Sequence, residues 1–303
     1  MLESYDDFGR LEYKIYSGAI PEKLINEVVK AHSIFKNSKY AFFRAQGTIG
    51  FELPALDSYG NQVNSIQNPN LLGFFPAFTK SINSIIHSEY IAKCLKDFTG
   101  SNKHIQYQSM LFDKSTGTKL HQDSWYLDTS PPGKLVGAWI ALEDITLEAG
   151  PFYVYERGPS SVVSVENRDS ILIAGEEAFQ STWPTSEKKM FLAKKGDILI
   201  WNSMVMHGAD SSVGQNYTRK SITAHFYPMG ANVQDAPIKR WYSIYDHNKL
   251  RKTKSPEVMM APTVNPIAYS MMCAMLYAAK FISKTLSNDR AADSKLSEIR
   301  RIE

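Results

Sequence analysis

Cysteine is scarce in this sequence. Only Cys94 and Cys273 occur among 303 residues, and they form no CxxC pair. The N-terminal stretch MLESYDDFGRLEYK has no apolar segment after a basic start, so it does not resemble a secretory signal. Both features favour a reducing, cytoplasmic setting.

The sequence also lacks an excess of charge of either sign. Its 34 basic and 31 acidic residues give a formal net charge of +3. Such a balance argues against a protein that tracks nucleic-acid phosphates by electrostatics. No nucleic-acid partner is therefore expected.

An uninterrupted apolar run of membrane-spanning length is missing as well. The stretch IAYSMMCAMLYAAKFI at residues 267–282 is interrupted by Lys280 and is shorter than the roughly 20 residues that cross a bilayer. A packed core or lid helix is the favoured interpretation, with membrane contact or a dimer interface as alternatives. No internal repeat or low-complexity linker occurs, so residues 1–303 are expected to form a single domain.

The chain has ample material for a core, with 43% hydrophobic and 12% aromatic residues. A short strand at residues 11–16 is followed by a helix whose first residue is Pro21, and residues 81–98 again have helical spacing. Residues 44–80 are rich in Gly, Pro, Asn and Ser and are predicted to form a long surface excursion that covers a site. The segment after Pro266 is predicted to be helical.

From residue 104 onward the pattern changes to short β-like runs divided by turn signals. These predicted strands are residues 104–112, 135–142, 152–155, 161–165, 171–174, 198–201 and 221–227. The sequence KKGD at residues 194–197 is a good hairpin turn into the sixth of them. Such spacing indicates an antiparallel sandwich or barrel.

The stretch LHQDSWY at residues 120–126 places His121 and Asp123 two residues apart. On a strand both side chains would point to the same face. In a second stretch, GDILIWNSMVMHGAD, a Gly-Asp turn leads into a strand that His207 follows. Two imidazoles and one carboxylate form the facial triad associated with non-haem Fe(II), which leaves positions open for a cosubstrate and dioxygen.

Arg219 comes 12 residues after His207, and Ser221 follows two residues later on the same strand face. A guanidinium binds a carboxylate through two hydrogen bonds, and a neighbouring hydroxyl adds another. This pair provides what the far carboxylate of 2-oxoglutarate needs.

Taken together, HQD, AWIALEDITLEAGPFYVY, GDILIWNSMVMHGAD and RKSITAHFYP resemble the phytanoyl-CoA dioxygenase family of Fe(II)/2-oxoglutarate-dependent oxygenases. The resemblance is strongest over residues 104–228. It implies a mainly β fold with flanking helices, a double-stranded β-helix (jelly roll, cupin-like). The expected arrangement is a β-helix core at 104–228, an N-terminal helical part at 17–100 and, outside the resemblance, a C-terminal helical extension at 256–303.

The resemblance also assigns roles to particular residues. His121, Asp123 and His207 match the metal ligands, and Arg219 with Ser221 matches the group that holds the cosubstrate. The remaining matches are Trp139 and Gln108 beside 2-oxoglutarate, and Tyr126 with Trp125 near the substrate. Core packing is the alternative role for Trp139, Gln108 and Tyr126.

The implied reaction uses Fe(II), 2-oxoglutarate and dioxygen to oxidise an unactivated carbon, with release of succinate and carbon dioxide. Related halogenases have a small residue in place of Asp123, so hydroxylation is favoured, with oxidative cyclisation or desaturation as alternatives. The alternatives are a metal-dependent hydrolase and a non-catalytic binding protein on the same barrel. The hydrolase would have no use for Arg219 and Ser221, and the binding protein would have lost a metal ligand or Arg219, whereas all of them are present.

The favoured substrate is a small or medium-sized metabolite that carries a carboxylate, in a biosynthetic role. No Gly-rich loop opening a helix is present to bind the nucleotide half of a coenzyme A thioester. The basic run KLRKTK at residues 249–254 could meet an anionic group of the substrate, or it could be a solvated loop.

Overall fold

The computed structural model describes residues 12–46, 51–233, 251–252, 257–260, 265–280 and 282. The strands are β1 Tyr13–Tyr16, β2 Phe43–Ala45, β3 Phe51–Glu52, β4 Ile66–Gln67, β5 His104–Phe112, β6 Thr129–Ser130, β7 Val136–Ala141, β8 Phe152–Glu156, β9 Glu187–Phe191, β10 Ile198–Asn202, β11 His207–Ala209, β12 Ser221–Pro228, β13 Asn232–Val233, β14 Arg251–Lys252 and β15 Val258–Met260. The helices are α1 Glu22–Lys36, α2 Pro76–Ile86, α3 Glu89–Thr99, α4 Val165–Ala174, α5 Glu176–Thr182 and α6, residues 266–280.

Two sheets face each other in the β-rich part of the chain. The larger sheet has the strand order β1-β10-β7-β12-β5-β4-β2-β3, and the smaller sheet has the order β11-β8-β9. Neighbouring strands along both of these paths are antiparallel. The fold is therefore mainly β with flanking helices, as the sequence predicts.

The central strands of the larger sheet are buried on both faces, which explains their continuous apolar runs. Along β10, Ile198 and Ile200 pack on the helix side, whereas Leu199 and Trp201 pack between the two sheets. β12 alternates in the same way, but its inward side chains include Thr223 and His225, which line a cleft between the sheets. The alternation of period two thus places an apolar core on the helix side of the sheet, and polar side chains among apolar ones in the cleft on its inner side.

Three helices cover the outer face of the larger sheet. The buried side of α1 packs with α2 and α3 in one hydrophobic cluster that also contains the outward residues of β7, β10 and β12. His87 and Ser88 separate α2 from α3, and the Ser88 hydroxyl accepts a hydrogen bond from the Ile91 amide, which starts the second helix there. These helices support the sheet that carries the site.

Several predicted elements have different bounds or types in the structure. Residues 161–165 and 171–174 are not strands, because α4 spans Val165–Ala174 and only a loop precedes it. The predicted helix at 81–98 is two helices, and α1 begins at Glu22 because Pro21 is in an extended conformation. The KKGD turn is present, but it links the two sheets and is no hairpin, since β9 pairs with β8 and β10 pairs with β1 and β7.

The sequence predicts a surface excursion at residues 44–80, but the described part of this segment does not form one. It contains strands that extend the larger sheet, and Ile66 and Leu71 are fully buried in the main hydrophobic cluster. Short strands with turn residues between them have the same Gly, Pro, Asn and Ser content as a loop, which accounts for the error.

The helix predicted after Pro266 is present as α6, whose Tyr269 and Cys273 pack in the main cluster. Among the helices that the structure describes, none combines the length and the hydropathy that a bilayer crossing needs. The basic run at 249–254 lies outside the described residues except for β14, and the arrangement as one domain stays a prediction.

Candidate metal and cosubstrate site

The two histidines of the predicted triad are held side by side by backbone hydrogen bonds. The His121 amide donates to the His207 carbonyl at 3.0 Å, and the His207 amide donates to the His121 carbonyl at 2.9 Å. This isolated antiparallel bridge brings their imidazole centroids to 4.3 Å. Residues far apart in sequence are thereby fixed at one end of the barrel.

The same local geometry orients both imidazoles. Nδ1 of His121 lies 2.8 Å from the Lys119 carbonyl, and Nδ1 of His207 lies 2.9 Å from the Val205 carbonyl. A carbonyl can only accept, so each Nδ1 carries the proton and each Nε2 keeps a free lone pair. Each histidine thus uses the carbonyl two residues before it to turn Nε2 toward the cleft.

Asp123 lies in a short 3₁₀ turn after β5 and completes the group. Its Oδ1 is 3.6 Å from His207 Nε2 and 3.9 Å from His121 Nε2, and one ligand atom from each of the three residues lies within 4.8 Å of the others. The pair His121 and Asp123 does not lie on a regular strand, as the spacing suggested, but on a bridge followed by a turn. Both side chains nevertheless reach the same cleft.

Burial sets the protonation states of this group. It lowers the pKa of His207 to about 3 and also lowers the pKa of His121, so both imidazoles are neutral near pH 7. Burial alone would raise the pKa of Asp123, but the neighbouring imidazoles of His225 and His207 outweigh it and the pKa lies below its usual range. Neutral imidazole and ionised carboxylate are the forms that bind a metal.

Arg219 lies on the inner side of the same cleft and is only 2% exposed. Its Cζ lies 5.3 Å from the ring centroid of Phe112 and 5.9 Å from that of Trp139. Burial lowers its pKa to about 10, so the guanidinium stays charged at neutral pH. No described residue accepts a hydrogen bond from its Nε or Nη1.

The cosubstrate residues suggested by the family resemblance have different surroundings. Trp139 lines the cleft, and its Nε1 has no partner among the described residues. Ser221 is fully buried beside Arg219, where its hydroxyl lies 3.3 Å from the Arg219 carbonyl. Gln108 is outside the cleft lining, and its Oε1 accepts from Gln67 at 3.3 Å.

The two residues suggested to lie near the substrate also differ. Tyr126 is half exposed, and its ring centroid is 5.9 Å from that of His121, so it lies at the mouth of the cleft. Trp125 packs against a separate hydrophobic cluster, and its indole N–H donates to Gln122 Oε1 at 2.9 Å. That hydrogen bond gives Trp125 a structural role in the turn.

Two further residues contact the triad. The Trp201 indole donates to Asp123 Oδ2 at 2.9 Å, and His225 Nε2 lies 3.3 Å from the same oxygen. Even spacing from Arg219 and Ser221 in the sequence is a signal for His225, although β12 begins only at Ser221. Trp201 gave no such signal, because the run ILIW is equally typical of a strand buried in an apolar core.

The donor set fits Fe(II) and 2-oxoglutarate. Two neutral imidazoles and one carboxylate on one side of a metal are the non-haem iron arrangement, and no cysteine belongs to the group. A fully buried guanidinium without a carboxylate partner is costly unless a bound anion completes it. The enclosed part of the cleft has a volume of about 40 Å³, and the cleft opens to solvent.

The comparisons with curated proteins agree on one family. Phytanoyl-CoA dioxygenase domain-containing protein 1 of Rattus norvegicus is 26% identical over 196 residues, which are 60% of this chain and 66% of that protein. Peroxisomal phytanoyl-CoA dioxygenase of Bos taurus is 28% identical over 149 residues, which are 45% of this chain and 43% of that protein. The chain thus spans less than two thirds of either relative.

Solved structures resemble this chain in fold. The epimerase SnoN from nogalamycin biosynthesis, described as non-haem and α-ketoglutarate-dependent, has a TM-score of 0.55 at 14% identity and covers 76% of this chain and 84% of its own. EctD from S. alaskensis, solved with 2-oxoglutarate and 5-hydroxyectoine, has a TM-score of 0.54 at 14% identity and covers 85% and 86%. At these identities the likeness confirms the jelly-roll fold alone.

The model of the phytanoyl-CoA dioxygenase (PhyH) family matches residues 61–221, more than half of the 303 residues. The match contains every residue of the triad and Arg219. The chain therefore belongs to the phytanoyl-CoA dioxygenase family of Fe(II)/2-oxoglutarate-dependent oxygenases.

Proposed function

We propose that this protein hydroxylates an unactivated carbon of a small or medium-sized metabolite. The balanced reaction converts substrate, 2-oxoglutarate and dioxygen into hydroxylated product, succinate and carbon dioxide. The observation that carries the proposal is the triad of His121, Asp123 and His207 in one cleft with the buried guanidinium of Arg219, whose Nε and Nη1 have no acceptor among the described residues. A hydrolase would use such a triad without needing the buried cation.

His121, Asp123 and His207 are the proposed Fe(II) ligands. Bound Fe(II) would supply the redox chemistry that couples dioxygen to the oxidative decarboxylation of 2-oxoglutarate. The two histidines present Nε2 in a fixed tautomer, because their Nδ1 protons are held by backbone carbonyls. Asp123 presents Oδ1 and neutralises part of the metal charge.

Arg219 is the proposed partner of the far carboxylate of 2-oxoglutarate. Its guanidinium lies between the rings of Phe112 and Trp139, so the fork is held in place before the anion arrives. The indole N–H of Trp139, which has no acceptor in the described part of the chain, provides a further donor beside it. Ser221 and Gln108 are proposed to assist, Ser221 as the direct neighbour of Arg219 and Gln108 from β5 near the cleft.

The proposed substrate carries a carboxylate and enters past Tyr126. Arg168 on α4 interacts electrostatically with the Tyr126 phenol and opposes the rise in its pKa that burial causes. This cation, which also pairs with Asp169 at 3.0 Å, favours an anionic substrate. The sequence has no Gly-rich loop opening a helix to bind a nucleotide, which favours a metabolite over a coenzyme A thioester. Trp125 is proposed to support the side of the cleft mouth that Tyr126 forms. The free, buried thiols of Cys94 and Cys273 are compatible with a reducing compartment.

The decisive experiment measures succinate release from 2-oxoglutarate with Fe(II) and ascorbate against a panel of carboxylate-bearing metabolites. We expect a substrate-dependent signal in which succinate and hydroxylated product form in equal amounts. A product that is cyclised or desaturated would revise the outcome but keep the reaction class. Turnover of any substrate without consumption of 2-oxoglutarate would instead indicate a hydrolase, and binding without turnover would indicate a non-catalytic protein.

Removal of one proposed ligand tests the metal site itself. His207→Ala should abolish Fe(II) binding and turnover, because two ligands hold a metal far more weakly than three. The matched control is His104→Ala, which removes another buried imidazole that is bonded to Thr99 and lies outside the cleft. Calorimetric titration should show binding in the control only. Unchanged iron affinity in His207→Ala would refute the assignment.

A further inference from the structure

The two oxygens of Asp123 face different neighbours. Oδ1 faces the Nε2 atoms of His121 and His207, whereas Oδ2 accepts the indole hydrogen bond of Trp201 at 2.9 Å. His225 Nε2 lies 3.3 Å from Oδ2. The two oxygens therefore have different surroundings: Oδ1 points to the proposed metal position, and Oδ2 contacts Trp201 and His225.

The indole is held firmly in this place. Trp201 is 1% exposed, and its ring centroid lies 4.9 Å from that of Phe152 and 5.0 Å from that of His207. On the adjacent strand β7 the residue opposite is Gly137. A Cβ atom at Gly137 would lie only 2.2 Å from Trp201 Cζ2, so the indole occupies space that a glycine leaves empty.

We propose that Trp201 is a positioning residue that makes Asp123 bind the metal through Oδ1 alone. A carboxylate bound through both oxygens would fill one of the positions that the facial triad must leave open for 2-oxoglutarate and dioxygen. A hydrogen bond from Trp201 to Oδ2 stabilises the arrangement with one bound oxygen, because a charge-assisted bond is lost if Oδ2 turns to the metal. This inference rests on the proposed function of the triad.

The test compares two identical substitutions. Trp201→Phe removes the donor to Asp123, and Trp183→Phe is the control. Trp183 stacks on Phe179 with ring centroids 5.2 Å apart and is not part of the cleft lining, so its replacement leaves the proposed metal and cosubstrate site untouched. The control therefore reports the general effect of exchanging an indole for a phenyl ring.

We expect Co(II), used as the probe metal in place of Fe(II), to bind Trp201→Phe about tenfold more weakly than wild type. Its visible d–d absorption should change, since a second carboxylate oxygen would take a position that is otherwise left to water or 2-oxoglutarate. Trp183→Phe should keep the wild-type affinity and spectrum. Equal behaviour of the two variants, or a wild-type spectrum and affinity in Trp201→Phe, would overturn the inference.

A measurement on the unsubstituted protein covers the case in which Trp201→Phe does not fold. In Zn(II)-loaded protein with ¹⁵N-labelled tryptophan, the indole N–H nearest the metal, identified by its broadening when Co(II) replaces Zn(II), should exchange slowly with solvent. Rapid exchange would contradict a retained hydrogen bond to Asp123. Failure of wild type to bind any metal would refute the proposed function itself, whereas failure of the inference alone leaves wild-type binding intact.

Discussion

Arg219 illustrates how burial changes the meaning of a single charged residue. A surface arginine would be solvated, but this one is enclosed by Phe112 and Trp139 and has two nitrogens without an acceptor among the described residues. Its desolvation is compensated only when an anion binds. Affinity for the cosubstrate should therefore depend on the planar fork as well as on the charge.

Arg219→Lys tests this dependence. Lysine keeps the charge but presents one nitrogen to the carboxylate, so the apparent KM for 2-oxoglutarate should rise about tenfold or more, in line with the loss of one charge-assisted hydrogen bond. Succinate release at varied 2-oxoglutarate measures it. Arg157→Lys, at a largely exposed arginine that pairs with Glu187, should leave the constant unchanged. A wild-type KM in Arg219→Lys would remove Arg219 from the cosubstrate site.

At this scale the sequence was informative where residue types are rare and their spacing is short. His121, Asp123, His207, Arg219 and Trp139 were predicted and do line one cleft. Trp201 was missed, because its role depends on the register between β10 and β7 and on an opposite glycine. Pairing between strands is a long-range property that a linear pattern does not contain.

Among the elements, the loop between Asp123 and β7 depends on one buried carboxylate. Asp128 accepts hydrogen bonds from the amides of Thr129 and Gly133 and from the hydroxyls of Ser124 and Ser203. Ser124 directly follows Asp123, and Ser203 lies between β10 and His207. Asp128 thus ties together the two segments that carry the proposed ligands.

Two substitutions of Asp128 test its role as a hydrogen-bond acceptor, because alanine removes both acceptor oxygens and asparagine keeps one. Asp128→Ala leaves several buried donors unsatisfied and should lower the free energy of unfolding by about 3 kcal/mol. Asp128→Asn keeps one acceptor oxygen, and the serine hydroxyls can rotate to bond its amide, so the loss should be about 1 kcal/mol. Urea unfolding provides the measurement, with the exposed Asp169→Ala as control. A similar decrease in the free energy of unfolding in the Ala and Asn variants would contradict the role of Asp128 as a hydrogen-bond acceptor.

The same scale shows why α4 was predicted wrongly. Its sequence ILIA consists of a short apolar run, which a strand and a helix can share. In the structure only Ile171 of α4 is buried, and Ile173 is 87% exposed. The helix is fixed by its start, where the Ser164 hydroxyl accepts from the Asn167 amide. When the apolar residues are counted and the cap is ignored, the pattern favours a strand, whereas the structure has a helix.

For the whole molecule, the buried histidines outside the cleft link stability to pH. Burial lowers the pKa of His87 and of His104 to about 4, compared with about 6.5 for an unfolded histidine. Between these values the unfolded chain binds protons that the folded chain excludes. Stability must therefore fall as the pH decreases through this window.

We expect the free energy of unfolding of the metal-free protein to be constant near pH 7.5 and to decrease steadily from about pH 6.5 to about pH 4. Urea unfolding at a series of pH values measures this slope. His87→Gln removes one of the titrating groups and should make the slope shallower, whatever its effect at neutral pH. A stability that does not change over the window would show that these imidazoles titrate normally.

The absence of a side chain at Gly137 makes the residue types at positions 137 and 201 depend on each other. Any side chain there would collide with the indole of Trp201, so a larger residue on β7 requires a smaller one on β10. Over evolutionary time these two positions are expected to vary as a pair. An engineered larger residue at position 137 would also displace the Trp201 indole that donates to Asp123. Whether a relative can accommodate a tryptophan next to its metal carboxylate is thus decided on the adjacent strand, by the smallest residue of the barrel.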